Sequence, residues 1–135
     1  MSKEMPKVLF LDDDEALRES LVDYFEDCGW SVFEAGTAEE AFKLLESEEL
    51  DCVVVDIRLP GMDGNAFIKN ASASYADLKY VICTGAPEYC LPQELMDLPQ
   101  VSNRVFIKPI LDLSILEEAV REQFEKCKPQ GEGNA

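Results

Sequence analysis

No histidine occurs among the 135 residues of this chain, which excludes histidine-based acid–base catalysis and histidine metal sites. Basic residues are scarce as well: 12 Lys and Arg stand against 28 Asp and Glu, a formal charge of −16. Such a deficit argues against nucleic acid as a direct partner, because phosphate contacts need clustered Lys and Arg. There is no basic amphipathic helix to lie on a membrane surface. No apolar run approaches the roughly 18 residues needed to span a bilayer. The start, MSKEMPKVLFL, turns acidic at Asp12 before an apolar signal segment can form, so the expected setting is cytoplasmic, with no membrane partner. The five cysteines (Cys28, Cys52, Cys83, Cys90 and Cys127) are odd in number and lack CxxC spacing, which indicates neither a disulfide framework nor a zinc site. Cys52 and Cys83 fall in apolar strand patterns and read as small core residues. Repeats and linker-like stretches are also missing.

What remains is an apolar fraction of 47%, that of an ordinary globular chain. The length suits one domain, expected over residues 1–126, with CKPQGEGNA (127–135) reading as a disordered tail. Short apolar runs alternate with helical periodicity, the pattern of an α/β domain whose parallel sheet carries helices on both faces. The strand candidates are Val8–Leu11, Ser31–Glu34, Cys52–Asp56, Tyr80–Thr84 and Arg104–Ile107. The first, third and fourth are nearly continuous in apolar residues, as strands buried on both faces are. Leu17, Leu21, Tyr24, Phe25 and Cys28 recur at helical spacing before a stop at Gly29. Thr37 and Glu40 form a capping box ahead of Ala41, Leu44 and Leu45. A weaker third helix covers about Asn65–Ser72, and a last one, capped by Asp112, carries Leu113, Leu116, Val120 and Phe124 on one face. The fourth, between Pro87 and Pro99, is poorly specified, since Pro92 can sit only in its first turn.

Five such units make an open doubly wound sheet, whose ligand site lies beyond the carboxyl ends of the strands. Those ends are polar. The first strand runs into Asp12-Asp13-Asp14, the third ends in Asp56, the fourth in Thr84, and the fifth runs into Lys108-Pro109. Each has a dull explanation alone: Asp14 as a helix cap, Asp56 as a turn residue, Thr84 as a satisfied hydroxyl, Lys108 as a solvated charge. Together they put carboxylates, a hydroxyl and an ammonium into one crevice. Carboxylates so close repel, and a hard divalent cation such as Mg²⁺ relieves that repulsion. A carboxylate beside such an ion can attack phosphorus, while the ion and a lysine neutralise the transferring oxygens.

The pieces VLFLDDDEALRESL, DCVVVDIRLPGMDG, VICTGAP and VFIKPI, in this order and spacing, resemble the receiver domains of two-component signal transduction (the CheY-like superfamily) over about residues 6–126. The resemblance implies the flavodoxin-like strand order 2-1-3-4-5. It implies Asp56 as phosphoacceptor, with Thr84 as the switch hydroxyl and Lys108 as the lysine that pairs with the phosphoryl group. It implies Mg²⁺ held by Asp13 directly, by Asp12 through water, by Asp56, and by the backbone carbonyl of Arg58. The Lys108–Pro109 bond is expected to be cis, and Pro60, Gly61 and Gly64 match the turn after the phosphorylated strand. The implied donor is a phosphohistidine on a histidine kinase or histidine phosphotransfer protein, because this chain has no histidine of its own. A downstream protein is expected on the face formed by the fourth helix, fifth strand and fifth helix.

Two departures bear on that switch. Val105 stands where the family usually has an inward-swinging Tyr or Phe, and LMDLPQVSNR replaces the usual Gly-Ala segment before the fifth strand. Phe106 is adjacent, but on a strand it points to the opposite side. Arg58 and Ala86 flank the site and are expected to tune how fast water removes the phosphoryl group. On this reading the chain catalyses only its own phosphorylation and dephosphorylation, and serves a partner, a phosphorelay or a phosphate sink. A phosphatase with an aspartyl-phosphate intermediate wants a second Asp two positions after the nucleophile, where this chain has Arg58. A flavin-binding module wants a phosphate-cradling loop after the first strand, where Asp12-Asp13-Asp14 would repel the phosphate.

Overall fold

The structure, a computed structural model, describes residues 6–126. Strand and helix alternate through β1 (Lys7–Leu11), α1 (Glu15–Asp27), β2 (Ser31–Ala35), α2 (Ala38–Ser47), β3 (Cys52–Val55), α3 (Gly64–Ser74), β4 (Lys79–Thr84), α4 (Gln93–Met96), β5 (Val101–Ile107) and α5 (Leu113–Lys126). All five strands are parallel and lie in the order β2-β1-β3-β4-β5. This is the flavodoxin-like, doubly wound arrangement expected from the sequence. The expected tail, 127–135, falls outside the described residues.

Alternation along the strands divides the core in two. Val8, Phe10, Cys52, Val54, Val81 and Cys83 pack against Leu21 and Phe25 of α1 and Leu116 and Val120 of α5. Leu9, Leu11, Val53, Val55, Tyr80 and Ile82 pack against α2, α3 and α4 through Ala41, Leu45, Phe67, Ile68 and Leu95. Both faces of β1, β3 and β4 are thus covered, which is why those segments read as unbroken apolar runs.

Local signals explain most element ends. Asp14 caps α1 by accepting from Leu17 N (3.1 Å), and Thr37 caps α2 by accepting from Glu40 N (3.2 Å). The Glu40 carboxylate returns to Gly36 N rather than to Thr37 N, a capping box displaced by one residue. Gly29, at φ 97°, supplies the left-handed stop after α1. α3 begins at Gly64 and runs to Ser74, longer than its weak periodicity suggested, because the Asp63 side chain caps it at Ala66 N (2.9 Å).

Two boundaries differ in kind. α4 is a single turn after Pro92, which lacks both a donor and a capping side chain. β5 starts at Val101 instead of Arg104, with an irregularity: Tyr80 pairs with Val101 and Ile82 with Val105, leaving Ser102, Asn103 and Arg104 opposite Val81. Such a bulge on an edge strand also hinders pairing with another chain. Leu95, Leu98 and Val101 of the atypical LMDLPQVSNR segment all face the core on the α2–α4 side, so this stretch packs as a wedge rather than a long helix. No described helix is long and apolar enough to cross a membrane.

Candidate functional site

The sheet register delivers the expected residues to one place. Asp12 follows β1 and is tied to the neighbouring strand by Asp12 N donating to Ala35 O (3.1 Å); Asp56 follows β3, with Asp56 N donating to Leu11 O (2.9 Å). At the far side Lys108 N donates to Thr84 O (2.8 Å), joining the ends of β4 and β5. Ligand oxygens of Asp12, Asp13 and Asp56 lie within 4.8 Å of one another. The Lys108 ammonium donates to Asp12 Oδ2 (2.8 Å) and to Asp56 Oδ2 (3.2 Å). Asp12 Oδ1 accepts from Asp14 N (2.9 Å) and Asp56 Oδ1 from Arg58 N (3.2 Å).

Burial makes this cluster electrostatically tense. Asp12 and Asp56 are only 4% and 5% exposed, whereas Asp13 is open to solvent and forms the accessible side. The Asp56 carboxyl titrates above its ordinary value, first because it is buried and then because Asp12 is charged beside it. Lys108 and the Arg58 N–H pull the other way without cancelling the effect. Burial works against the Lys108 charge too, but its hydrogen bond to Asp12 and the charges of Asp12 and Asp56 outweigh that and raise its pKa. An acidic set of hard oxygen donors that one ammonium does not fully neutralise fits a small divalent cation such as Mg²⁺.

The remaining expected residues are placed as follows. Thr84 is fully buried at the end of β4, and its hydroxyl accepts from Ala86 N (3.2 Å). It therefore faces its own loop. Cys83, beside it, is a core thiol pushed up to about 12 by burial. The Lys108–Pro109 peptide is cis. Gly64 packs so closely under Asp56 that a Cβ there would lie 2.5 Å from the Asp56 carbonyl oxygen. Val105 packs toward the α2–α4 side of the sheet and Phe106 toward the α1–α5 side, as strand alternation requires.

Two further contacts join residues that no local sequence pattern links. Arg58 pairs with Glu88 at the surface (3.0 Å), linking the loops after β3 and β4. Arg18 donates from Nη1 to the Asp12 carbonyl (2.6 Å) and from Nε to Glu34 (2.9 Å). The only sequence signal for the latter is a guanidinium about one turn into the helix that follows the acidic run.

A doubly wound sheet with acids after β1 and β3 and a lysine after β5 defines a receiver-type α/β domain. The family model for the response regulator receiver domain matches residues 8–121, and the chain belongs to that family. It is a receiver domain of two-component response regulators; the phosphatase alternative is not favoured. Its sequence is similar to Sporulation initiation phosphotransferase F of Bacillus subtilis (strain 168), 29% identical over 115 residues, covering 85% of this chain and 90% of that protein. Among solved structures it is similar to the signal receiver domain of an HD domain-containing protein from Pseudomonas fluorescens Pf-5 (TM-score 0.82, 26% identity, covering 91% of this chain and 97% of the other). The fold also matches response regulator protein TrrA from Thermotoga maritima, solved in complex with Mg(2+)-BeF (TM-score 0.76, 24% identity, covering 88% and 99%). Other curated relatives are much longer, and the chain spans 12 to 60% of their length.

Proposed function

We propose that Asp56 accepts a phosphoryl group from a phosphohistidine on a histidine kinase or histidine phosphotransfer protein, in a reaction that needs Mg²⁺. One observation carries this reading: a single ammonium, Lys108, bridges Asp12 and Asp56 while Asp13 stands open beside them. Asp12, Asp13 and Asp56, with the Arg58 carbonyl, are the groups to hold Mg²⁺, which supplies positive charge against the transferring oxygens. That TrrA was solved with Mg(2+)-BeF supports the choice of ion.

In the transfer an Asp56 carboxylate oxygen forms the new P–O bond, and the P–N bond to the donor imidazole breaks. Lys108 then moves from Asp12 toward the phosphoryl oxygens, where its charge is worth most. Thr84 gives up the hydrogen bond from Ala86 N and donates its hydroxyl to the phosphoryl group, carrying the loop after β4 inward. The readout belongs to the face of α4, β5 and α5, without an aromatic at position 105. On this reading the chain turns over no outside substrate beyond its own phosphorylation and dephosphorylation.

The test is incubation with a small-molecule phosphodonor and Mg²⁺, followed by intact mass. One phosphoryl group should add to the wild type and none to Asp56→Asn. Equal labelling of that variant would place the acceptor elsewhere.

A further inference from the structure

Asp12 has every polar group engaged: its N–H on Ala35 O, one carboxylate oxygen on Asp14 N, the other on Lys108, and its carbonyl on Arg18 Nη1 at 2.6 Å. The last of these matters for Asp13. The Asp12 carbonyl belongs to the peptide that leads into Asp13, and Asp13 is exposed, so its direction is set through its backbone. Arg18 is itself held. Its Nε donates to Glu34 on β2 at 2.9 Å, and its side chain is only 15% exposed. Glu34 answers the guanidinium charge, so the fork is used on a neutral carbonyl and does not swing onto the carboxylates beside it.

We propose that Arg18 is a positioning residue for the Mg²⁺ site: held by Glu34, it locks the Asp12–Asp13 peptide so that the Asp13 carboxylate meets the ion. This rests on the function proposed above for the same acidic cluster. Positioning and bare charge predict opposite signs. A cation near a cation site opposes ion binding, so if Arg18 acted only through its charge, its removal would tighten Mg²⁺. If it positions Asp13, its removal loosens Mg²⁺, as loss of groups that orient metal ligands commonly does, by about tenfold.

The experiment is Mg²⁺ titration by calorimetry on the whole chain, with melting in EDTA to check the fold. Arg18→Met keeps the aliphatic stem and removes every donor; its Mg²⁺ affinity should fall about tenfold, and phosphodonor labelling should recover at saturating Mg²⁺. Arg18→Lys keeps the charge but loses the rigid planar fork that serves Asp12 O and Glu34 from two separate nitrogens, so it too should bind Mg²⁺ more weakly than wild type, though less so than Arg18→Met. Unchanged or tighter binding by Arg18→Met overturns the proposal. Should Arg18→Met fail to fold, wild-type affinity in Arg18→Lys overturns it instead. Failure of the wild type itself to bind Mg²⁺ would strike the underlying function, and this role of Arg18 with it, whereas Mg²⁺ binding that Arg18→Met leaves intact strikes the role alone.

Discussion

Lys108 sits nearer to Asp12 than to Asp56: its ammonium donates across 2.8 Å to the first carboxylate and 3.2 Å to the second. At rest, then, the cation is anchored on Asp12, with a weaker bond to Asp56, the proposed acceptor. Both acids are nearly enclosed, and removing the cation leaves them facing each other. Lys108→Ala should fold, because the side chain adds little to either half of the core. Its stability in EDTA near neutral pH should nevertheless drop by about 1–3 kcal/mol, the usual cost of leaving a buried charge without its partner. Mg²⁺ should recover part of that loss, whereas phosphorylation should no longer move the loop after β4. Urea unfolding with and without Mg²⁺ measures the first pair of effects. A variant whose stability ignores Mg²⁺ would separate Lys108 from the acidic cluster.

The raised Asp56 pKa makes a prediction of definite sign. Between the ordinary carboxylate value of 3.8 and its raised value, Asp56 binds more protons folded than unfolded. Stability of the ion-free protein therefore falls as pH rises through that interval, and the penalty persists in full above it. Asp56→Asn removes the ionisable group while keeping its shape. It should stabilise the ion-free protein at neutral pH, and leave it unchanged below the ordinary carboxylate value. Denaturant midpoints of both proteins in EDTA across pH are the measurement. A destabilised Asp56→Asn at neutral pH would mean that Lys108 and the Arg58 N–H outweigh burial and Asp12.

Gly64 ties the α3 terminus to the backbone of Asp56. A Cβ at this position would meet the Asp56 carbonyl oxygen at 2.5 Å and Ile57 Cα at 2.8 Å, both backbone atoms with no rotamer to yield. Gly64→Ala should cost about 1–3 kcal/mol as an overpacked site. It should also slow labelling by about tenfold or more, since a displacement of about 1 Å can cost about 10²-fold in a positioned reaction. Wild-type stability together with a wild-type rate would show that the loop after β3 has slack.

The division between what the sequence disclosed and what it hid follows the range of each signal. Val8–Leu11 and Cys52–Val55 read as strands because a two-sided sheet demands unbroken apolar runs, and the polar residues that end those runs stood out for the same reason. Asp12, Asp13, Asp56, Thr84 and Lys108 were therefore visible as a set before any coordinates. Arg18 was not, since its partner at the site is a backbone carbonyl, which leaves no trace in residue type. Glu88 lies thirty positions from Arg58, beyond any local pattern. The single turn of α4 was unreadable because Pro92 and Pro99 suppress periodicity, while Leu95, Leu98 and Val101 act as separate wedges and not as a helical stripe. Val105 and Phe106 were assigned to opposite faces from strand alternation alone, and that is how they pack.

Tyr80 violates the rule that buried polar groups are paired. It lies on β4 in the core on the α2–α4 side, fully buried, with its ring edge-on to Phe67 at 6.5 Å between centroids. Its hydroxyl has no hydrogen-bond partner among the described residues. Burial accordingly drives the phenol pKa upward, and the oxygen contributes desolvation cost without a bond to offset it. The ring fills volume that the core needs, whereas the hydroxyl adds nothing. Tyr80→Phe should therefore be neutral or stabilising by up to about 1 kcal/mol, while Tyr80→Ala should cost about 3–5 kcal/mol through the cavity it leaves. Chemical denaturation of the pair separates ring from hydroxyl, because the two variants should move the midpoint in opposite directions or leave only the alanine displaced. A loss beyond about 1 kcal/mol in Tyr80→Phe, the worth of an ordinary hydrogen bond, would show that the hydroxyl is bonded in the folded protein after all.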